Sequence, residues 1–230
     1  MEDHLVTQPS LSDLAVQYGS DKGPSKHRYT ELYDMLFHPF RDADIRFLEM
    51  GLLIGGPEHG VDAGRETVKS PSIQMWLDYF SRAEIIGLDI SDFSAFAKGR
   101  FSFFQCDMGD RAALKQVASE IGSENIIIDE ARHASHHQQN AFLDLFPKLA
   151  PGGLYIIEDL RWQPVSMEIK GITRTAPLFR GFSEKRQFSH NDPEVEEAFR
   201  ARAPQISGCF VHQTRYTKTR RDQVAVIHKK

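Results

Sequence analysis

The chain has two cysteines in 230 residues, Cys106 and Cys209. Neither has a CxxC partner, which excludes a disulfide framework and leaves two free thiols suited to a reducing compartment. No apolar run reaches the ~18 residues of a membrane-spanning helix. The start, Met1-Glu2-Asp3-His4, is polar and acidic and lacks a signal-peptide core. The expected location is therefore the cytoplasm. An excess of one charge is missing too: the formal net charge is −4 and the pI about 6.2, which argues against a nucleic-acid partner. Internal repeats and low-complexity tracts are absent. So are GxGxxG, a Walker lysine and HExxH, so neither a phosphate cradle nor a zinc-protease site is indicated.

What is present is an ordinary globular composition, 40% hydrophobic and 26% charged, at a length that fits one domain over 1–230. Five short apolar runs each end in an acid: Arg46-Phe47-Leu48-Glu49, Ile85-Ile86-Gly87-Leu88-Asp89, Phe103-Phe104-Gln105-Cys106-Asp107, Ile126-Ile127-Ile128-Asp129-Glu130 and Tyr155-Ile156-Ile157-Glu158-Asp159. Runs of this length and β-branched content predict buried strands. Helical spacing precedes them at 11–18 and 27–37, falls between them at 73–80, 110–121 and 133–149, and returns around 193–203, with Ser10 or Ser12 as N-cap of the first and Asp110 capping the fourth. Pro151-Gly152-Gly153 stops the last. Two strand-like runs, 209–216 and 224–228, flank the basic turn 218–222 and predict a hairpin, and Lys229-Lys230 reads as a frayed end. Strands alternating with helices predict an α/β, doubly wound, mostly parallel Rossmann-like sheet of seven strands with a C-terminal antiparallel hairpin. Residues 1–40 form an N-terminal helical cap; 57–72 and 160–207 are the expected lid and acceptor segments.

Open α/β sheets bind ligands at the carboxyl ends of their strands, so the terminal acids line the edge where chemistry would sit. Glu49 precedes the glycine turn Gly51 to Gly56, in which Gly51 and Gly55 let backbone approach a ligand or serve as a plain turn. Asp89 either accepts from ribose hydroxyls or caps its own turn. Asp107 either contacts a cofactor or caps the next helix. Asp129, Glu130 and His133 form the sharpest segment: carboxylates after a buried strand, then a histidine suited to act as a general base. His136 and His137 read as solvent-facing helix residues. Adjacent Glu158 and Asp159 repel each other unless a cation lies between them. With Glu130 they make an all-oxygen set suited to Mg²⁺. Arg161-Trp162 and the later Arg174, Arg180, Lys185 and Arg186 fit a solvated face or an anionic acceptor.

Four segments carry a family likeness: Gly19-Ser20-Asp21-Lys22-Gly23 with His27 and Tyr29; Phe47 through Gly56; Ile128 through His133; and Leu149 through Leu160. In these the chain resembles the class I S-adenosylmethionine (SAM)-dependent methyltransferases, in particular the metal-dependent macrolide and sugar O-methyltransferases of mycinamicin type and the mycobacterial mannoside type. The resemblance implies that Glu49, Gly51, Gly55, Asp89, Asp107 and Asp129 bind SAM, that Glu130, Glu158 and Asp159 hold Mg²⁺, and that His133, with Glu130, is catalytic. The acceptor it implies is a sugar or glycoconjugate, and the state a homo-oligomer. One departure stands out: the strand 4 end usually reads Asp-Asp-Gly-Ser-His and here reads Asp-Glu-Ala-Arg-His. An NAD(P)-dependent oxidoreductase and a non-catalytic SAM-binding protein are the alternatives.

Overall fold

A computed structural model describes residues 8–53, 60–217, 219 and 221–230. Seven strands form one sheet: β1 (Arg46–Met50), β2 (Glu84–Asp89), β3 (Phe101–Gln105), β4 (Glu124–Asp129), β5 (Leu149–Ile157), β6 (Ile206–Gln213) and β7 (Gln223–Lys229). Their order is β3-β2-β1-β4-β5-β7-β6. Strands β1 to β5 are parallel and β7 runs antiparallel to both β5 and β6. This is the mostly parallel, Rossmann-like sheet with a C-terminal antiparallel hairpin expected from the sequence.

Alternation along the strands divides the core in two. Phe47, Ile85, Ile126, Ile128 and Ile156 face α1 (Leu11–Tyr18), α2 (Tyr29–Phe37) and α3 (Pro71–Tyr79). Leu48, Ile86, Leu88, Ile127 and Ile157 face α4 (Arg111–Glu120), α5 (Ser135–Leu145), α6 (Thr175–Lys185) and α7 (Pro193–Arg202). The period of two in the strands thus feeds two helical layers. Ser10 and Asp13 close a capping box on α1, and Asp110 and Asp192 cap α4 and α7 through backbone amides. No helix among the described residues is long and apolar enough to cross a membrane.

Several boundaries differ from expectation. The fifth helix ends at Leu145, a 3-10 turn follows over 146–148, and Pro151-Gly152-Gly153 lies inside β5 at a register shift. A Cβ on Gly153 would meet the Asn125 carbonyl at 2.7 Å, so glycine there lets β5 close on β4. Lys229 is not frayed: its ammonium donates to the carbonyls of Phe146, Pro147 and Leu149. In segment 160–207, α6 and α7 bury Leu178, Phe179, Phe182 and Phe199 in the core, and of this segment only Arg161 and Trp162 line the cavity described next. His136 and His137 are half-buried and lie outside that cavity's wall.

Candidate active site

The carboxyl ends of β1 to β5 lie on one edge, and the strand order reverses between β1 and β4. A cavity of about 520 Å³ opens at this switch point, a size and place typical of ligand sites. Its wall is made by residues 51–53 after β1, Asp89 and Ile90 after β2, 130–133 after β4, and Asp159, Arg161 and Trp162 after β5. Residues 19–21, His27 and Asp222 line it as well.

Behind that wall lies a residue that sequence reasoning missed. Lys22, in the turn before α2, is fully buried. Its ammonium pairs with Glu130, with Glu158 Oε2 at 2.8 Å and with Glu49 Oε1 at 3.3 Å. Burial alone would lower its pKa; Glu130, Glu158 and Glu49 outweigh it and hold it well above the ordinary lysine value. Burial pushes Glu158 up to about 7 against the pull of Lys22 and Tyr33, and pushes Glu130 well above the usual carboxylate range. Tyr33 donates to Glu158 Oε1 at 2.5 Å, and Ser72 donates to Glu49 Oε2 at 2.8 Å. Three carboxylates face one ammonium, so ionisation of all three leaves two negative charges unbalanced. With Asp159 beside them, Glu130 and Glu158 are an oxygen donor set whose charge deficit suits a hard divalent cation.

The other predicted residues fall into three groups. Asp89, Glu130, His133, Asp159 and Gly51 line the cavity. Asp89 also caps two turns, accepting from Leu52 N and Ser91 N, each at 2.8 Å; carboxylate oxygens retain further lone pairs for a ligand. Gly51, at φ +84°, serves packing: a Cβ would meet the Glu130 carbonyl at 2.9 Å, so it lets the turns after β1 and β4 touch. Glu49, Glu158 and Asp129 are buried and do not line the cavity. Asp129 Oδ1 accepts from Ala131 N at 3.1 Å, and burial, aided by the Glu158 charge, pushes its carboxyl up to about 8. Asp107 also lies outside the lining; its Oδ1 accepts from Gly109 N at 2.8 Å and pairs with Arg132. Gly55 lies outside the described residues.

Arg132, His133 and Asp159 hold left-handed backbone, at φ 58°, 45° and 54°. Such strain costs about 1–3 kcal/mol per residue and collects at functional sites. His133 Nδ1 is turned to Asp159 Oδ2, 3.9 Å away, and its ring meets Trp162 edge-on at 5.1 Å. The arrangement can bind a polar ligand against acids and offer an imidazole to a proton.

No protein-family model matches the chain. The chain is 40% identical over 174 residues to the 8-demethyl-8-alpha-L-rhamnosyl tetracenomycin-C 2'-O-methyltransferase of Streptomyces olivaceus, covering 74% of this chain and 44% of that protein. It is 37% identical over 153 residues to the mycinamicin VI 2''-O-methyltransferase of Micromonospora griseorubida, covering 66% and 36%. Among solved structures it resembles MycE methyltransferase from the mycinamycin biosynthetic pathway, in complex with Mg, SAH and mycinamycin VI. That match has TM-score 0.70 at 28% identity, covering 97% of this chain and 55% of that one. The chain thus spans about half or less of the length of the relatives it matches. By sequence and by fold it is a homologue of the macrolide and sugar O-methyltransferases, on the class I SAM-dependent methyltransferase fold.

Proposed function

We propose that this chain carries the methyl-transfer site of a SAM-dependent O-methyltransferase acting on a sugar hydroxyl of a small-molecule acceptor. The observation that carries the reading is the switch-point cavity. The segments after β1, β2, β4 and β5 bring acids and one strained histidine to a single wall, in a chain 40% identical to a rhamnosyl O-methyltransferase. SAM supplies a methyl group already activated by its sulfonium, which leaves the protein to align, desolvate and deprotonate.

Asp89 would accept from the cofactor's ribose hydroxyls beside the turn at Gly51, and Asp107, outside the cavity lining, would serve the adenine end. Glu49 and Asp129 act from behind the wall as positioning residues. Glu130, Glu158 and Asp159 would hold Mg²⁺, which would supply a Lewis acid that makes a coordinated hydroxyl more acidic. Lys22 balances part of the charge of Glu130 and Glu158 and fixes their carboxylates. His133, oriented toward Asp159, takes the acceptor's proton. Arg161 and Trp162 line the cavity and would meet the acceptor; the expected 57–72 lid, of which 57–59 lie outside the described residues, brings Arg65 and Lys69 to the same cavity. The reading extends to a cytoplasmic homo-oligomer, which light scattering and cell fractionation check.

The test is the thermal unfolding midpoint with SAH, SAM, NADH and Mg²⁺, singly and combined. A ligand at ~100 times its Kd stabilises by ~2.7 kcal/mol. SAH and SAM raise the midpoint, with a further rise from Mg²⁺; a rise with NADH alone overturns the reading in favour of an oxidoreductase. His133→Gln lowers methyl transfer by about 10²–10⁴-fold while the SAH shift persists. Transfer at the wild-type rate removes the base assignment.

A further inference from the structure

A second group of ligand-type side chains converges on the cavity. His27, Asp159 and Asp222 each present one ligand atom, all within 4.8 Å of one another. They come from three distant places: the turn before α2, the residues after β5 and the loop entering β7. His27 Nδ1 lies 3.6 Å from Asp159 Oδ1 and 3.4 Å from Asp222 Oδ1. Both gaps exceed the usual N–H···O length of about 2.9 Å. They match the edges of a coordination polyhedron, since ligand bonds of about 2.0–2.2 Å at tetrahedral angles set donor atoms about 3.3–3.6 Å apart.

The surroundings are those of a ligand set. His27 Nε2, the nitrogen on the far side of the ring, lies 3.5 Å from Asp21 Oδ2, and a carboxylate behind the non-ligating nitrogen is the usual support of a metal-bound histidine. Tyr29 stacks on the His27 ring at 5.1 Å and donates to Asp159 Oδ1 at 2.5 Å, fixing both. The three side chains are only 12–15% exposed, yet all line the cavity, which gives an ion a way in.

We infer that His27, Asp159 and Asp222 form a cation site distinct from the Glu130–Glu158 set, with Asp159 common to both. An imidazole with two carboxylates favours a first-row transition ion over magnesium, which prefers an all-oxygen shell. Three protein ligands leave a coordination position facing the cavity, where an acceptor oxygen can bind. The site also ties the loop entering β7 to the turn before α2, so an ion there closes one rim of the cavity. The inference rests on the methyltransferase reading only for the identity of the ligand that enters that open position.

The experiment titrates chelator-stripped wild-type protein with Co²⁺, followed by calorimetry and by the ion's ligand-field absorption. Co²⁺ binds with an absorption typical of low coordination number, distinct from the weak absorption of six-coordinate Co²⁺ on an all-oxygen set, and Zn²⁺ displaces it. His27→Gln and Asp222→Asn abolish that absorption, while Asp21→Asn weakens binding by about 10–100-fold. Failure of wild type to bind Co²⁺ overturns the site, independently of how any variant folds. So do an unchanged affinity and spectrum in both ligand variants. The SAH-induced thermal shift of the same preparation reports the methyltransferase reading separately, so either can fail while the other stands.

Discussion

Two clusters of ionisable groups share the carboxyl edge of this sheet and solve the same electrostatic problem differently. The inner one packs Glu49, Glu130 and Glu158 around the buried ammonium of Lys22, with no more than 15% exposure on any of the four side chains. The outer one gathers Asp21, His27, Asp159 and Asp222 on the cavity wall around an imidazole that water can reach. Asp21, Asp159 and Asp222 together outweigh the lowering effect of burial and raise the His27 pKa. The inner cluster has one of its cations supplied covalently, by Lys22; the outer one relies wholly on a proton or an ion from solution. Buried charge needs an internal partner because desolvation is not repaid otherwise, whereas a wall residue can borrow one.

That contrast breaks first at Lys22. Lys22→Met keeps the length of the side chain and removes its charge, leaving three buried carboxylates without a cation. Loss of one partner from a buried ionic set costs about 3–5 kcal/mol, read by equilibrium denaturation. A variant as stable as wild type shows that the inner set is not held by charge. The paired tyrosines sharpen the contrast next. Tyr33→Phe removes the donor to Glu158 and costs about 1.5–3 kcal/mol, because no water replaces it. Tyr29→Phe removes the matching donor to Asp159, at the same 2.5 Å, and costs about 0.5–1.5 kcal/mol because that carboxylate lies at the cavity. Equal losses in the two variants erase the distinction.

The pH dependence follows from the raised carboxyls. Asp129, up to about 8, and Glu158, up to about 7, bind protons in the native state that the unfolded chain has released above the ordinary carboxyl range. The native state then holds more protons than the unfolded one, so stability falls as pH rises from about 5 toward 8. Asp129→Asn cannot ionise and reduces the difference between denaturation curves at these two pH values; an unchanged difference rejects Asp129 as its source. The smallest effect is expected at the rim. Arg132 pairs with Asp107 at 18% and 42% side-chain exposure, so Arg132→Ala shifts stability by no more than about 1 kcal/mol, seen as a small change in unfolding midpoint.

The sequence made the sheet legible because its five parallel strands are short and apolar, with an acid at or just beside the end of each. It also placed Asp89, Glu130, His133 and Asp159 on one edge, where the cavity lies. Lys22 was hidden because a lysine in a glycine- and serine-bearing turn looks solvated; only the three acids facing it explain its burial, and they come from other strands. The period of Tyr29 and Tyr33 was visible, but not that their hydroxyls reach past the apolar layer to Asp159 and Glu158. Helix α6 escaped because the Arg-, Phe- and Pro-rich segment 160–207 showed helical character only around 193–203. Pro177 sits in its first turn, where no intrahelical donor is lost, and Gly181 would accept a Cβ without contact. Asp222 lay in what read as a hairpin turn, and its partners are remote in sequence.

Lys22 reaches Glu130 and Glu158 across 108 and 136 residues of chain. Contacts of that separation form late, after the loop entropy between them has been overcome. The turn before α2 is then expected to act as a kinetic latch on the sheet, which folding and unfolding rates of Lys22→Met check. Weakening it chiefly speeds unfolding and leaves the folding rate nearly unchanged. A cavity built this way gains its full charge balance only once the turn carrying Lys22 is docked.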